Sequence, residues 1–235
     1  MTPENRIGEL DFTRGFCILA MIAVHLIYDL TEIYPVFSAY PPMFLLLKDG
    51  GGTVFFLISG ISATLGRRHL RRGVMVLGCG MLVSAVTVLA GFAPIRFGVL
   101  HALGVCMLCW EVFQKASLRT LAGLGIAFVF TGWLFEAVIV ASPWLYPLGL
   151  VSPAFESADF FPLFPYLGYF LLGSLLGRKL YPSRKSLLTC SFSSPFSRFF
   201  CFCGRHSLLL YLIHQPVLMI AIETAIFIGG SFHEI

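Results

Sequence analysis

Residues 14–25 read RGFCILAMIAVH, an apolar run with a cation at one end and an imidazole at the other. At about 100° per residue, the eleven steps from Arg14 to His25 complete about three helical turns. Both side chains therefore share one helix face, about 16 Å apart along the axis. Asp11, Asp29 and Glu32 fall near the same stripe at helical spacings. A cation at the centre of a membrane helix costs roughly 2.5–3.5 kcal/mol, so ionisable groups there face a protein interior or a water-filled cavity. The stretch predicts a membrane helix with a polar seam, and the seam predicts a site.

The rest of the chain supplies the membrane context. Of 235 residues, 57% are hydrophobic and 12% charged, proportions that exclude a soluble domain and predict an integral membrane protein. The first apolar run is longer than a signal-peptide core and lacks a small-residue cleavage site, so it is read as a retained helix. Stretches near residues 12–30, 46–66, 73–92, 97–114, 119–141, 160–178 and 206–229 are each long enough to cross roughly 30 Å of hydrocarbon. The expected fold class is all-α: a polytopic transmembrane helix bundle of about seven helices, forming a single membrane domain over residues 1–235.

Orientation follows from the basic loops, because Lys and Arg are retained on the cytoplasmic side. Arg6, Arg14, Arg67, Arg68, Arg71, Arg72, Lys115, Arg119, Arg178, Lys179, Arg184, Lys185, Arg198 and Arg205 all fall on one side of this map, leaving Lys48 and Arg96 on the other. The N-terminus is expected inside and the C-terminus outside. The net charge of +4 is thereby a topology signal, and no nucleic-acid partner is expected.

Cys17, Cys79, Cys106 and Cys109 lie in apolar helices, and Cys190, Cys201 and Cys203 lie in or beside a cytoplasmic loop kept reduced, so no structural disulfide is expected. Cys106-x-x-Cys109 has neither a second CxxC nor a His pair, short of a zinc pattern, and no metal is expected. Residues 181–203 carry Ser and Pro punctuation with scattered bases and no sustained period, and read as a cytoplasmic linker lying against the bilayer. On the opposite side, residues 142–165 form a long irregular loop with prolines, aromatics, Glu156 and Asp159, a type that is often functional.

Four histidines fall in or at the ends of helices: His25, His101, His206 and His214. Together they would line a path across the bilayer. In the last helix Ser207, Tyr211 and His214 share a face, followed by Gln215 and Pro216. The proline removes the amide that would bond the Leu212 carbonyl and so makes this a polar, kinked turn. Ser59, Gly60, Ser62 and Ala63 place small residues at helical spacing, which suits close helix packing. Glu111, Glu136 and Glu223 are read as helix-end groups outside the site.

Five separated motifs now point in one direction. ELDFTRGFCILAMIAVHLIYDL resembles the first helix of the transmembrane acyltransferase superfamily, with its Arg and His separated by ten intervening residues, and FFLISGISATLGRR resembles the second. RFGVLHALG, SADFFPLFPYLGYFLLG and GRHSLLLYLIHQP resemble later motifs of one branch, the short bacterial relatives of the heparan-alpha-glucosaminide N-acetyltransferase catalytic domain. The resemblance implies a protein of the bacterial inner (plasma) membrane. It also implies transfer of an acyl group from cytoplasmic acyl-CoA, typically acetyl-CoA, to an amino or hydroxyl group of a cell-envelope glycan beyond the membrane.

That chemistry needs a base for the acceptor's proton, and the candidate is His25 oriented by Asp29, with direct attack by the acceptor and a transient acyl-His both open as routes. Arg14, Arg67, Arg68, Arg71 and Lys179 are candidates for the CoA phosphates, with Tyr211 and His214 for the acyl or pantetheine part. His101, Glu156 and Asp159 are candidates for the acceptor. Acyl-CoA is expected as co-substrate, with no bound cofactor; the bilayer and the glycan complete the partners, and a homo-oligomer stays open. Two other classes stay open as well: a haem protein with two facing imidazoles, and a small-solute transporter using the same seam.

Overall fold

The computed structural model describes residues 7–188 and 192–231; Arg6 of the charge tally and Cys190 lie outside them. Among the described residues eight α-helices follow one another: α1 Gly8–Tyr28, α2 Met43–Leu65, α3 His69–Leu89, α4 Val99–Phe113, α5 Leu118–Glu136, α6 Leu163–Leu180, α7 Pro195–Arg205 and α8 Ser207–Ser231. Among the described residues there is no strand, only isolated bridges of Phe97 with Phe160 and of Ile139 with Val151. The chain is all-α, as the sequence predicts.

Seven helices fall on the seven expected stretches. Five segments, Gly8–Ile33, Met43–Leu65, His69–Leu89, Leu118–Glu136 and Ser207–Gly229, are long and apolar enough to cross a membrane. Helix α4, at 15 residues, reaches only roughly 22 Å, and α6 closes on the charges Arg178 and Lys179. Large apolar side chains stand exposed along these helices, Leu89 at 87% and Phe227 at 77%. Such a surface is solvated by lipid, not water, and the protein is an integral membrane protein.

The chain divides into two compact units, one of Gly8–Gly52 with Cys190–Ile235 and one built on Thr53–Thr189. In the first, α1 packs on α7 and α8. The eighth helix, α7, lies inside the stretch read as an irregular linker. At its start the Ser194 hydroxyl accepts from Ser197 N at 3.1 Å and Pro195 occupies the first turn, the usual opening of a helix. Its eleven residues are too few to show a period by eye, yet Cys201, Cys203 and Gly204 are buried while Phe196, Phe199 and Phe202 are exposed.

Glycines set the closeness of α1 to α7. A β-carbon at Gly15 would strike the Phe200 carbonyl, and one at Gly204 would strike the Asp11 carbonyl. The two backbones are in contact, as small residues allow between membrane helices. Phe12 stacks on Phe200 with centroids 5.0 Å apart, beside this seam. Helix α1 does not stop at Tyr28 but opens into a π-helical turn over Asp29–Ile33, where Tyr34 N donates to Asp29 O at 2.7 Å. Widened turns of this kind occur often at functional sites.

In the second unit the small-residue stretch of α2 serves packing, as expected. Gly60 lies against the Phe170 carbonyl of α6, and the buried Ser174 hydroxyl donates to Gly60 O at 3.2 Å. The long loop before α6 is folded rather than slack. Ala158 N donates to Pro94 O at 3.0 Å and Phe161 N to Phe97 O at 2.9 Å, and Phe155 packs between Tyr146 and Phe160 at 5.3 and 4.7 Å.

Candidate active site

Two of the four histidines meet. The His25 ring of α1 and the His214 ring of α8 are edge to face, with centroids 4.8 Å apart and planes at 83°. His214 is buried, and its Nδ1 lies 2.6 Å from the Tyr211 carbonyl. A carbonyl only accepts, so Nδ1 carries the hydrogen and Nε2 is the acceptor position of the neutral ring. The Tyr211 ring lies against His214, with centroids 5.4 Å apart.

Asp29 is fully buried at the head of the π-turn. Asp29 is the group expected to orient His25; its carboxylate accepts from Gln215, whose Nε2 donates to both oxygens at 2.8 and 2.9 Å. The other end of that amide, Gln215 Oε1, is buried and has no hydrogen-bond partner among the described residues. Gln215 was visible in the sequence as part of the kinked polar turn but was not counted among the site residues.

Above this cluster two tyrosines tie the chain. Tyr34 donates to Glu223 at 2.8 Å and Tyr40 to Glu32 at 2.7 Å. Burial and the Glu32 carboxylate push the Tyr40 phenol up to about 12, so it remains a donor throughout the neutral range. At the other end of α1, Arg14 Nη1 donates to Asp11 Oδ1 at 3.2 Å.

The remaining candidates belong to the second unit. His101 and Asp159 come together, and both hold the start of α4: Gly98 N donates to His101 Nδ1 at 3.3 Å and Val99 N to Asp159 Oδ2 at 3.1 Å. Glu156 exposes its side chain, while its carbonyl accepts from Arg96 Nε at 2.9 Å. Arg67, Arg68, Arg71 and Lys179 are exposed. Beside the α2–α3 turn lies an open pocket of about 210 Å³ lined by Thr64, Gly66, His69, Trp110, Gln114, Arg178 and Arg184. Arg178 stacks 5.3 Å from Trp110 and donates to the carbonyls of Ala116, at 2.6 Å, and Gln114. Arg178 and Arg184 were counted only as topology charges.

His206 is exposed at the end of α7, 2.9 Å from the Phe202 carbonyl, and His101 belongs to the second unit. No group of three metal-binding side chains occurs among the described residues. The six described cysteines, Cys17, Cys79, Cys106, Cys109, Cys201 and Cys203, are free thiols.

A pair of imidazoles backed by a buried carboxylate suits proton transfer to or from a nucleophile. Comparison with known proteins gives this chemistry a family: residues 6–216 match the heparan-alpha-glucosaminide N-acetyltransferase catalytic family. No curated protein and no solved structure matches the chain. Since the match runs through both units and includes every residue of the histidine site, the chain belongs to the heparan-alpha-glucosaminide N-acetyltransferase catalytic family, a family of membrane acetyltransferases.

Proposed function

We propose that the protein moves an acetyl group from cytoplasmic acetyl-CoA to an amino or hydroxyl group of an extracytoplasmic glycan. The observation that carries this reading is the contact of His25 with His214 beside the buried Asp29–Gln215 pair. His25 takes the proton of the acceptor's amino or hydroxyl group as that group attacks the thioester carbonyl. The tetrahedral intermediate then collapses, the C–S bond breaks, and CoA leaves as the thiolate. A base so placed is worth about 10²- to 10⁴-fold in rate.

The donor enters from the side that carries the bases, with the N-terminus inside. Arg67, Arg68, Arg71 and Lys179 receive its phosphates, aided by the Arg178–Arg184 pocket. Arg14 stands at the cytoplasmic end of α1, and Tyr211 and His214 line the way of the acyl and pantetheine parts. On the outer side, Glu156 and the aromatics packed about Phe155 receive the sugar; His101 and Asp159 serve that surface by holding the loop to α4.

Incubating the purified protein with radiolabelled acetyl-CoA and cell-envelope glycan tests this. Label should pass to the glycan with matching release of CoA. Substrate flux into liposomes without covalent turnover would identify a transporter instead.

A further inference from the structure

We propose that α7 is a lipid-binding face, on which Arg198 and Arg205 take the phosphate of an anionic phospholipid and Phe196, Phe199 and Phe202 lie against its acyl chains. The inference goes beyond the acetyltransferase reading and does not depend on it.

The charge pattern of the chain points to this helix first. Between Asp159 and Glu223 no acid occurs, while Arg178, Lys179, Arg184, Lys185, Arg198 and Arg205 all do. The last two belong to α7. Seven residues apart, they stand about 20° from each other round the helix and about 10 Å apart along it. Both are exposed, and among the described residues neither has a carboxylate partner. Arg205 Nε donates to the Cys201 carbonyl of its own helix at 3.0 Å, and Asp11 of the adjacent α1 accepts from Arg14 at 3.2 Å.

The aromatic residues form the adjoining face. Phe196, Phe199 and Phe202 recur every three residues and are 66, 53 and 53% exposed. Phe202 and Phe199 follow the arginine edge at about 40° and about 100° round the axis. The side that carries Cys201 and Gly204 is closed, for both are buried and Gly204 meets the Asp11 carbonyl of α1. Helix α7 therefore has one side on protein, one basic edge and one aromatic face.

Depth in the membrane selects the partner. The α1 turns beside α7 carry Glu9, Asp11 and Arg14, and α8, long enough to cross a bilayer, begins at Ser207, just past the end of α7. At eleven residues, or about 16 Å, α7 is too short to span. It sits where acyl chains give way to headgroups, and an exposed aromatic face beside an arginine edge matches a lipid with an anionic head at that level. A soluble anion would satisfy the arginines and leave three phenylalanines uncovered. A second copy of this chain would bring the same bases against them.

The test is native mass spectrometry of the full-length protein released from detergent, with phosphatidylglycerol and phosphatidylcholine of identical chains as probes. Wild type should favour phosphatidylglycerol. Joint replacement Arg198→Gln and Arg205→Gln should weaken that lipid by about fivefold per arginine and leave phosphatidylcholine unchanged, whereas Arg198→Lys with Arg205→Lys should keep the preference. Phe199→Ala with Phe202→Ala should weaken both lipids alike. Equal binding of the two lipids by wild type, a preference that survives in the glutamine pair, or unchanged lipid affinity in the alanine pair would overturn the proposal. Displacement of the lipid by glycerophosphoglycerol, the headgroup without chains, would overturn it in favour of a soluble-phosphate site. A wild-type dimer lost in the alanine pair would overturn it in favour of an interface between copies.

Discussion

The imidazoles of His25 and His214 touch edge to face, 4.8 Å between centroids, although they come from opposite ends of the chain. Neither ring is placed by local sequence alone: α1 carries one, α8 the other, and α7, which leads directly into α8, packs its backbone on α1. On the proposed function, this contact gives His214 a share in the proton transfer beyond lining the acyl path. His214→Ala should lower kcat by about tenfold or more, while a purely lining role would raise KM at constant kcat. Steady-state kinetics of CoA release separate the two.

Asp29→Leu removes the acceptor of both Gln215 bonds and strands a buried amide, at a cost of about 1–3 kcal/mol. The expected result is a lower thermal midpoint in detergent together with loss of kcat. A variant as stable as wild type would mean that the Asp29–Gln215 pair does not hold α1 to α8.

The seam between α1 and α7 has no room for a side chain at Gly204. Gly204→Val should destabilise by about 1–3 kcal/mol through overpacking and should expose Cys17, Cys201 and Cys203, which are buried in wild type. Labelling by a thiol reagent before and after substitution measures this directly, with faster modification expected in the variant.

Donor binding should be separable from chemistry. Replacing Arg67, Arg68 and Arg71 together by alanine should raise the acyl-CoA KM by about tenfold and weaken its salt dependence, since exposed charges act singly by little and together by more. Arg14→Ala should also raise this KM. An unchanged KM in both variants would remove the phosphate role from these residues.

The seven apolar stretches were legible because helix length and hydropathy are properties of contiguous sequence, and α1 to α6 and α8 fall where they predict. Helix α7 was not, since eleven residues with their apolar groups split between a helix contact and lipid give no clear period. His25 was legible from its spacing to Arg14, an intrahelical relation. Its neighbour was not: His214 reaches His25 only through tertiary packing, and Gln215 meets Asp29 in the same way. His101 and Asp159 were legible as polar groups in apolar surroundings, but that signal is the same for a helix cap as for a binding site.

The central claim is that His25 performs the proton transfer of an acetyl transfer. The most direct measurement is release of free CoA from acetyl-CoA by purified protein in detergent with cell-envelope glycan, comparing wild type with His25→Ala. Turnover by wild type and its loss by about 10²-fold or more in the variant, with the variant still folded, is the predicted result. Equal turnover in both would contradict the role of His25, and no turnover in wild type with any envelope fraction would contradict the acetyltransferase function itself.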